Sequence, residues 1–125
     1  MTSLKNVLLV NGVSSGATGL ILLVFGRFVA TLFGSSAPAP FWAVGVFLIA
    51  FAALVVAEGV RATQRPGRVM LITTLDTLWV AGSLIIVVLQ LFNLSMIGYV
   101  LISGVALWVA TMAVLQARGL KKITV

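Results

Sequence analysis

The chain has no cysteine and no histidine, and its only acidic residues are Glu58 and Asp76, against eight lysines and arginines. Each absence excludes a class of chemistry. Without thiols or imidazoles there is no disulfide framework, no thiolate nucleophile, no ordinary zinc site and no histidine-ligated haem. Two carboxylates are too few hard ligands for a calcium or magnesium cage, so neither a metal nor a cofactor is expected. Glu58 and Asp76 have no obvious nucleophile beside them, and the Ser14-Ser15 pair has no base. The chain is therefore not read as an enzyme.

What remains is apolar. Of the 125 residues, 62% are hydrophobic and 8% are charged, with mean hydropathy +1.26, a balance that soluble domains do not reach. Long apolar segments fall at about residues 5–27, 40–60, 68–92 and 96–117, each near the ~20 residues that cross a bilayer core. The expected fold is all-α, a polytopic membrane protein built as a four-transmembrane-helix up-down bundle, with residues 1–125 forming one domain. The first segment is read as a retained span rather than a signal peptide. Its apolar core is too long, and the small-residue stretch Ser35 to Ala37 runs directly into Pro38.

The basic residues report orientation. Lys5, Arg61, Arg65, Arg68, Arg118, Lys121 and Lys122 all flank one side of the four-span topology, and only Arg27 falls on the other. By the positive-inside bias both termini and the loop from Arg61 to Arg68 are cytoplasmic, which makes this a multi-pass protein of the cytoplasmic (inner) membrane. A net charge of +6 would in a soluble chain suggest nucleic acid. Here the charge sits in short connections and tails, so no nucleic-acid partner is expected. The expected partner is the anionic headgroups of the cytoplasmic face, at ~1 kcal/mol per basic residue near the surface.

Small residues recur at helical spacing. Gly12, Gly16 and Gly19 share a face of the first span, with Gly12-x-x-x-Gly16 allowing close backbone approach. Gly45, Ala52 and Gly59 form a seven-residue stripe on the second, and Ser103, Ala106, Ala110, Ala113 and Ala117 form a seam on the fourth. These seams are expected to pack helices together, either within one chain or across a homodimer or larger membrane complex. The segments 1–60 and 66–120 also match weakly as an internal repeat of two parallel helical hairpins. At one offset Asn11 and Gly19 fall on Thr74 and Gly82; at another Ala52 and Glu58 fall on Ala110 and Gln116.

Asp76 lies inside the third span, where a charge costs of order 2.5–3.5 kcal/mol at mid-membrane and so must face protein or water. Counted from Arg68 it falls about 12 Å into the membrane, in the cytoplasmic leaflet. Asn11, Glu58, Thr73, Thr77 and Gln116 fall in the same half. Together these residues are the candidate polar, ligand or proton site: either interhelical glue or the lining of a pocket open to the cytoplasm. In size and span count the chain resembles the small multidrug resistance transporters, which work as dimers around a carboxylate. Their essential glutamate lies in the first span, where this chain has Asn11 and Ser14. The functional expectation is a structural, accessory or interaction protein packed through its small-residue seams. The alternative is a small dimeric proton-coupled transporter using Asp76.

Overall fold

The computed structural model describes residues 4–124, and its regular elements are all helical. Four helices are long and apolar enough to cross a membrane. Helix α1 (Leu4–Val24) breaks at Phe25, whose backbone leaves the helical region at φ −113°, ψ 24°, and resumes as α2 (Gly26–Leu32). The hydropathy pattern had run unbroken through this point. Here Gly26 backs onto the Trp42 indole, and the Arg27 guanidinium lies 5.5 Å over the same ring, a favourable cation–π placement.

Gly34, at φ +77°, then ends α2. The Ser35 amide donates to Ala30 O at 2.8 Å and the Gly34 amide to Thr31 O at 3.0 Å, the paired bonds of a Schellman cap. Proline opens α3 (Ala39–Gly59) and α4 (Pro66–Val88), where its missing N–H and fixed φ suit the first helical turn. Helix α4 stops at Val88 rather than running to 92, because Gln90, Phe92 and Asn93 adopt positive φ in the following turn. Helix α5 (Met96–Thr124) carries Lys121 and Lys122 in its last turn. Ser95 caps its start by accepting from the Gly98 amide at 3.1 Å, and ties the turn to α2 by donating from its hydroxyl to Leu32 O.

The helices form two antiparallel hairpins. Helix α1 packs along α3 and α4 along α5, and the hairpins meet chiefly through α1 and α5, with only light contact between α3 and α4. The closest approach of backbone to backbone joins Gly19 and Gly45: a Cβ on Gly19 would stand 2.8 Å from Gly45 O, and one on Gly45 would stand 2.9 Å from Gly19 O. Gly12 is pressed on Val56, Gly16 on Ala52, and Gly59 on Leu8 and Leu9. The glycine faces of the first two spans thus meet each other within one chain.

On α5 the inward stripe holds Ala106, Met112 and Gln116, all buried, with Ala113 and Ala117 half-buried beside it. Ser103 is exposed, its hydroxyl donating to Tyr99 O at 2.9 Å, and half-buried Ala110 borders an outward groove with Thr111, Val114, Leu115 and Arg118. The seam is rotated from the one read off small residues alone because Gln116 must turn inward to bury its amide. The two hairpins are not packed alike either: Gly19 is pressed on a backbone carbonyl, whereas Gly82, its counterpart in the repeat, has nothing within 4 Å.

Large apolar side chains such as Val13, Phe28, Val88, Met96 and Leu107 cover the outside, as a lipid-facing surface requires. The interior is layered along the bundle. At the basic end Leu4, Leu8, Phe51, Val55, Val69 and Ile72 make the apolar core, with Leu54, Leu75 and Leu120 against it. A polar layer follows, and beyond that a cavity.

Candidate functional site

The polar layer joins three helices. Asn11 on α1, Asp76 on α4 and Gln116 on α5 are all at most 3% exposed, and each hydrogen-bonds the other two. The Asn11 Nδ2 group donates to Asp76 Oδ2 at 2.9 Å and to Gln116 Oε1 at 2.7 Å. The Gln116 Nε2 group donates to the same Asp76 Oδ2 at 2.9 Å and to Thr73 Oγ1 at 3.2 Å. Ser15 completes the set by donating to Asn11 Oδ1 at 3.3 Å. Both amide N–H hydrogens of each amide are used, and each amide oxygen accepts. Turning either amide over would set a carbonyl against the carboxylate, so the network admits one orientation of each.

Of the residues expected together, the structure unites Asn11, Thr73, Asp76 and Gln116. Thr77 is exposed and donates back to Thr73 O at 2.8 Å, an intrahelical bond that suits a hydroxyl in lipid. Glu58 belongs elsewhere. It is 1% exposed at the basic end, where its carboxylate accepts from the Arg65 amide at 2.6 Å, Arg65 Nε at 3.1 Å and Arg65 Nη2 at 2.8 Å. Arg61, its neighbour at i+3, stands at 3.9 Å. The i+3 spacing by itself favours Arg61 as the partner. The connection at 60–65 instead brings Arg65, the residue before α4, back over the end of α3, and Glu58 thereby fixes the start of α4.

Asp76 also lies deeper than the count from Arg68 implied. Helix α4 extends from Pro66 to Val88, which puts Asp76 roughly 15 Å from one end and 18 Å from the other at 1.5 Å per residue. That is the middle of the span. On its basic side the apolar core closes over it, so the layer does not open toward the basic end.

The cavity lies on the far side. All four long helices line it: Ser14, Ser15 and Thr18 from α1, Phe47, Leu48 and Phe51 from α3, Asp76 and Trp79 from α4, and Trp108 from α5 among them. Its volume is about 40 Å³. Phe47 stacks between Phe51 and Trp79, at 6.1 and 6.5 Å between ring centroids. Trp108 Nε1 donates to Ser14 Oγ at 3.1 Å, while Trp79 Nε1 is buried without a partner.

The two tryptophans are the functional-site residues that sequence reasoning passed over. Their signal was position: both fall inside spans rather than at the interfaces where indoles usually find water. Among the described residues no group of three or more metal-type ligands occurs. No known family model matches the chain, and no curated protein or solved structure matches it.

Proposed function

We propose that this chain is a structural or accessory protein of the cytoplasmic membrane, a compact helical module that packs in lipid or against other membrane proteins. The observation that supports it best is the polar layer. Its amides are satisfied within the chain and tie α1 to both helices of the second hairpin, the arrangement expected of interhelical glue worth roughly 0.6 kcal/mol per bond. The basic residues at one end suit anionic headgroups, and the groove beside Ala110 leaves room for a second copy or another helix. No catalytic role is proposed. Identifying what co-purifies with the tagged protein from native membrane tests the reading; recovery only as a free monomer from gently solubilised membrane counts against it.

A specific observation favours a second reading, a small proton-coupled transporter. Asp76 borders a mid-membrane cavity, the depth at which secondary transporters hold their coupling ions, while Arg61 and Arg65 pair with Glu58 instead. Proton flux in liposomes on addition of candidate cations, abolished by Asp76→Asn, is the expected result under this reading. Flux that survives Asp76→Asn rules it out.

A further inference from the structure

We infer that the mid-membrane cavity beside Asp76 is a binding site for one small monovalent cation, either a sodium ion or a proton held on Asp76 or its water. The inference rests on the same carboxyl as the transport reading but does not require transport.

Charge is the first argument. No lysine or arginine among the described residues pairs with Asp76, and a carboxylate at this depth without a counter-charge is costly. A single positive charge brings the site to neutrality. A divalent ion would overshoot, leaving a buried net charge with one carboxylate to hold it.

The second argument is the balance of donors and acceptors around the cavity. Ser14 donates its hydroxyl hydrogen to Val10 O or Asn11 O, Ser15 to Asn11 Oδ1, and Thr18 to Ser14 O. Those hydrogens are committed, so the Ser15 and Thr18 oxygens present lone pairs, and Ser14 Oγ, which already accepts from Trp108 Nε1, keeps one more. Both hydrogen bonds to Asp76 land on Oδ2, which leaves Oδ1 to accept. Against these acceptors stands one donor, the unpartnered indole N–H of Trp79. A lining so rich in acceptors calls for a positive occupant, and a water bound to that cation can accept from the indole while donating to an oxygen of the wall.

Size is the third. About 40 Å³ holds a bare ion with a water or two, since one water needs roughly 10–15 Å³ on this measure. It is far below the ~300 Å³ at which sites for drug-sized organic molecules begin. This separates the site from the multidrug carriers that the chain resembles in length.

The experiment uses the full chain purified in detergent, titrated with sodium chloride against choline chloride at constant ionic strength, and reads thermal unfolding and tryptophan fluorescence. A sodium site gives saturable stabilisation in sodium only. Asp76→Asn abolishes that response, and Thr18→Val, which removes one wall oxygen and leaves the polar layer intact, raises the half-saturating concentration several-fold. Because Thr18→Val keeps all three amide and carboxyl partners, it serves if Asp76→Asn does not fold. A proton site gives no sodium effect but shows the infrared carbonyl stretch of a protonated carboxyl at neutral pH, absent from Asp76→Asn. The inference is overturned if sodium has no effect and Asp76 is ionised in choline buffer, or if the sodium response is unchanged in both variants. Binding without liposome flux leaves it standing and removes the transport reading alone.

Discussion

Asn11 and Asp76, 65 positions apart in the chain, are joined by a 2.9 Å hydrogen bond in the middle of the bundle, and both also bond Gln116. Beyond these bonds α1 and α4 share only the apolar core of Leu4, Leu8, Val69 and Ile72. The two hairpins thus share a small polar layer about halfway along α4, with an apolar core drawn from both hairpins on its basic side and a cavity on the other.

Close packing of the first hairpin makes one glycine far less replaceable than another of the same sequence context. Gly19→Val drives a side chain into Gly45 O, Ile49 and Leu48 and is expected to cost 1–3 kcal/mol or more, the range for overpacking. Gly82→Val meets nothing within 4 Å and should stay within about 0.5 kcal/mol of the parent, as for unpacked surface positions. Thermal unfolding in detergent compares the two.

The rotated face of α5 predicts an equally clear contrast. Ala106 is buried, so Ala106→Leu should lower the unfolding temperature by several degrees, whereas Ala110→Leu extends into the outward groove and should melt close to the parent protein. If crosslinking shows an oligomer that Ala110→Leu dissociates, the groove is its interface.

Glu58 and Arg65 should respond unequally. Glu58→Gln keeps the shape and part of the bonding to the Arg65 amide, while Arg65→Ala keeps the backbone amide on Oε2 but strips both guanidinium bonds from Oε1 of a carboxylate that is 1% exposed. Arg65→Ala is therefore the more destabilising, by roughly 1–3 kcal/mol, the cost of stranding a buried acceptor. Unfolding of both variants at matched salt checks the order.

Orientation is testable without purification. Reporter fusions at both termini and within 61–68 should all read as cytoplasmic, since seven of the eight basic residues lie at that end. An external C-terminus would invert the sidedness of the cavity.

The helices were legible because hydropathy and length suffice for spans, and the connections fall at 33–38, 60–65 and 89–95, although Pro66 and Gly67, which read as a turn in the sequence, instead open α4. The polar residues of the layer were legible too, because Asn11, Asp76 and Gln116 are conspicuous in apolar surroundings. Their depth was not. Counting from Arg68 overlooked the helical turn that Pro66 starts, and taking the far end at 92 overlooked the left-handed turn that stops α4 at Val88. Glu58 was grouped with the layer because sequence gives a residue's distance from a loop but not the path of that loop, and Arg65 returns over Glu58 only once the turn is built. The cavity is a product of bulk and angle among Phe47, Trp79 and Trp108 on three helices, which no periodicity within one helix encodes.

The central claim, that the bond between Asn11 and Asp76 helps hold the hairpins together, is tested most directly by a double-mutant cycle on Asn11→Ala and Asp76→Ala, with unfolding free energies measured in mixed micelles. The account expects a coupling energy of about 0.6–1.7 kcal/mol, from the average to the largest value measured for interhelical bonds in a membrane protein. Costs that add to within about 0.3 kcal/mol, as for independent sites, would contradict it.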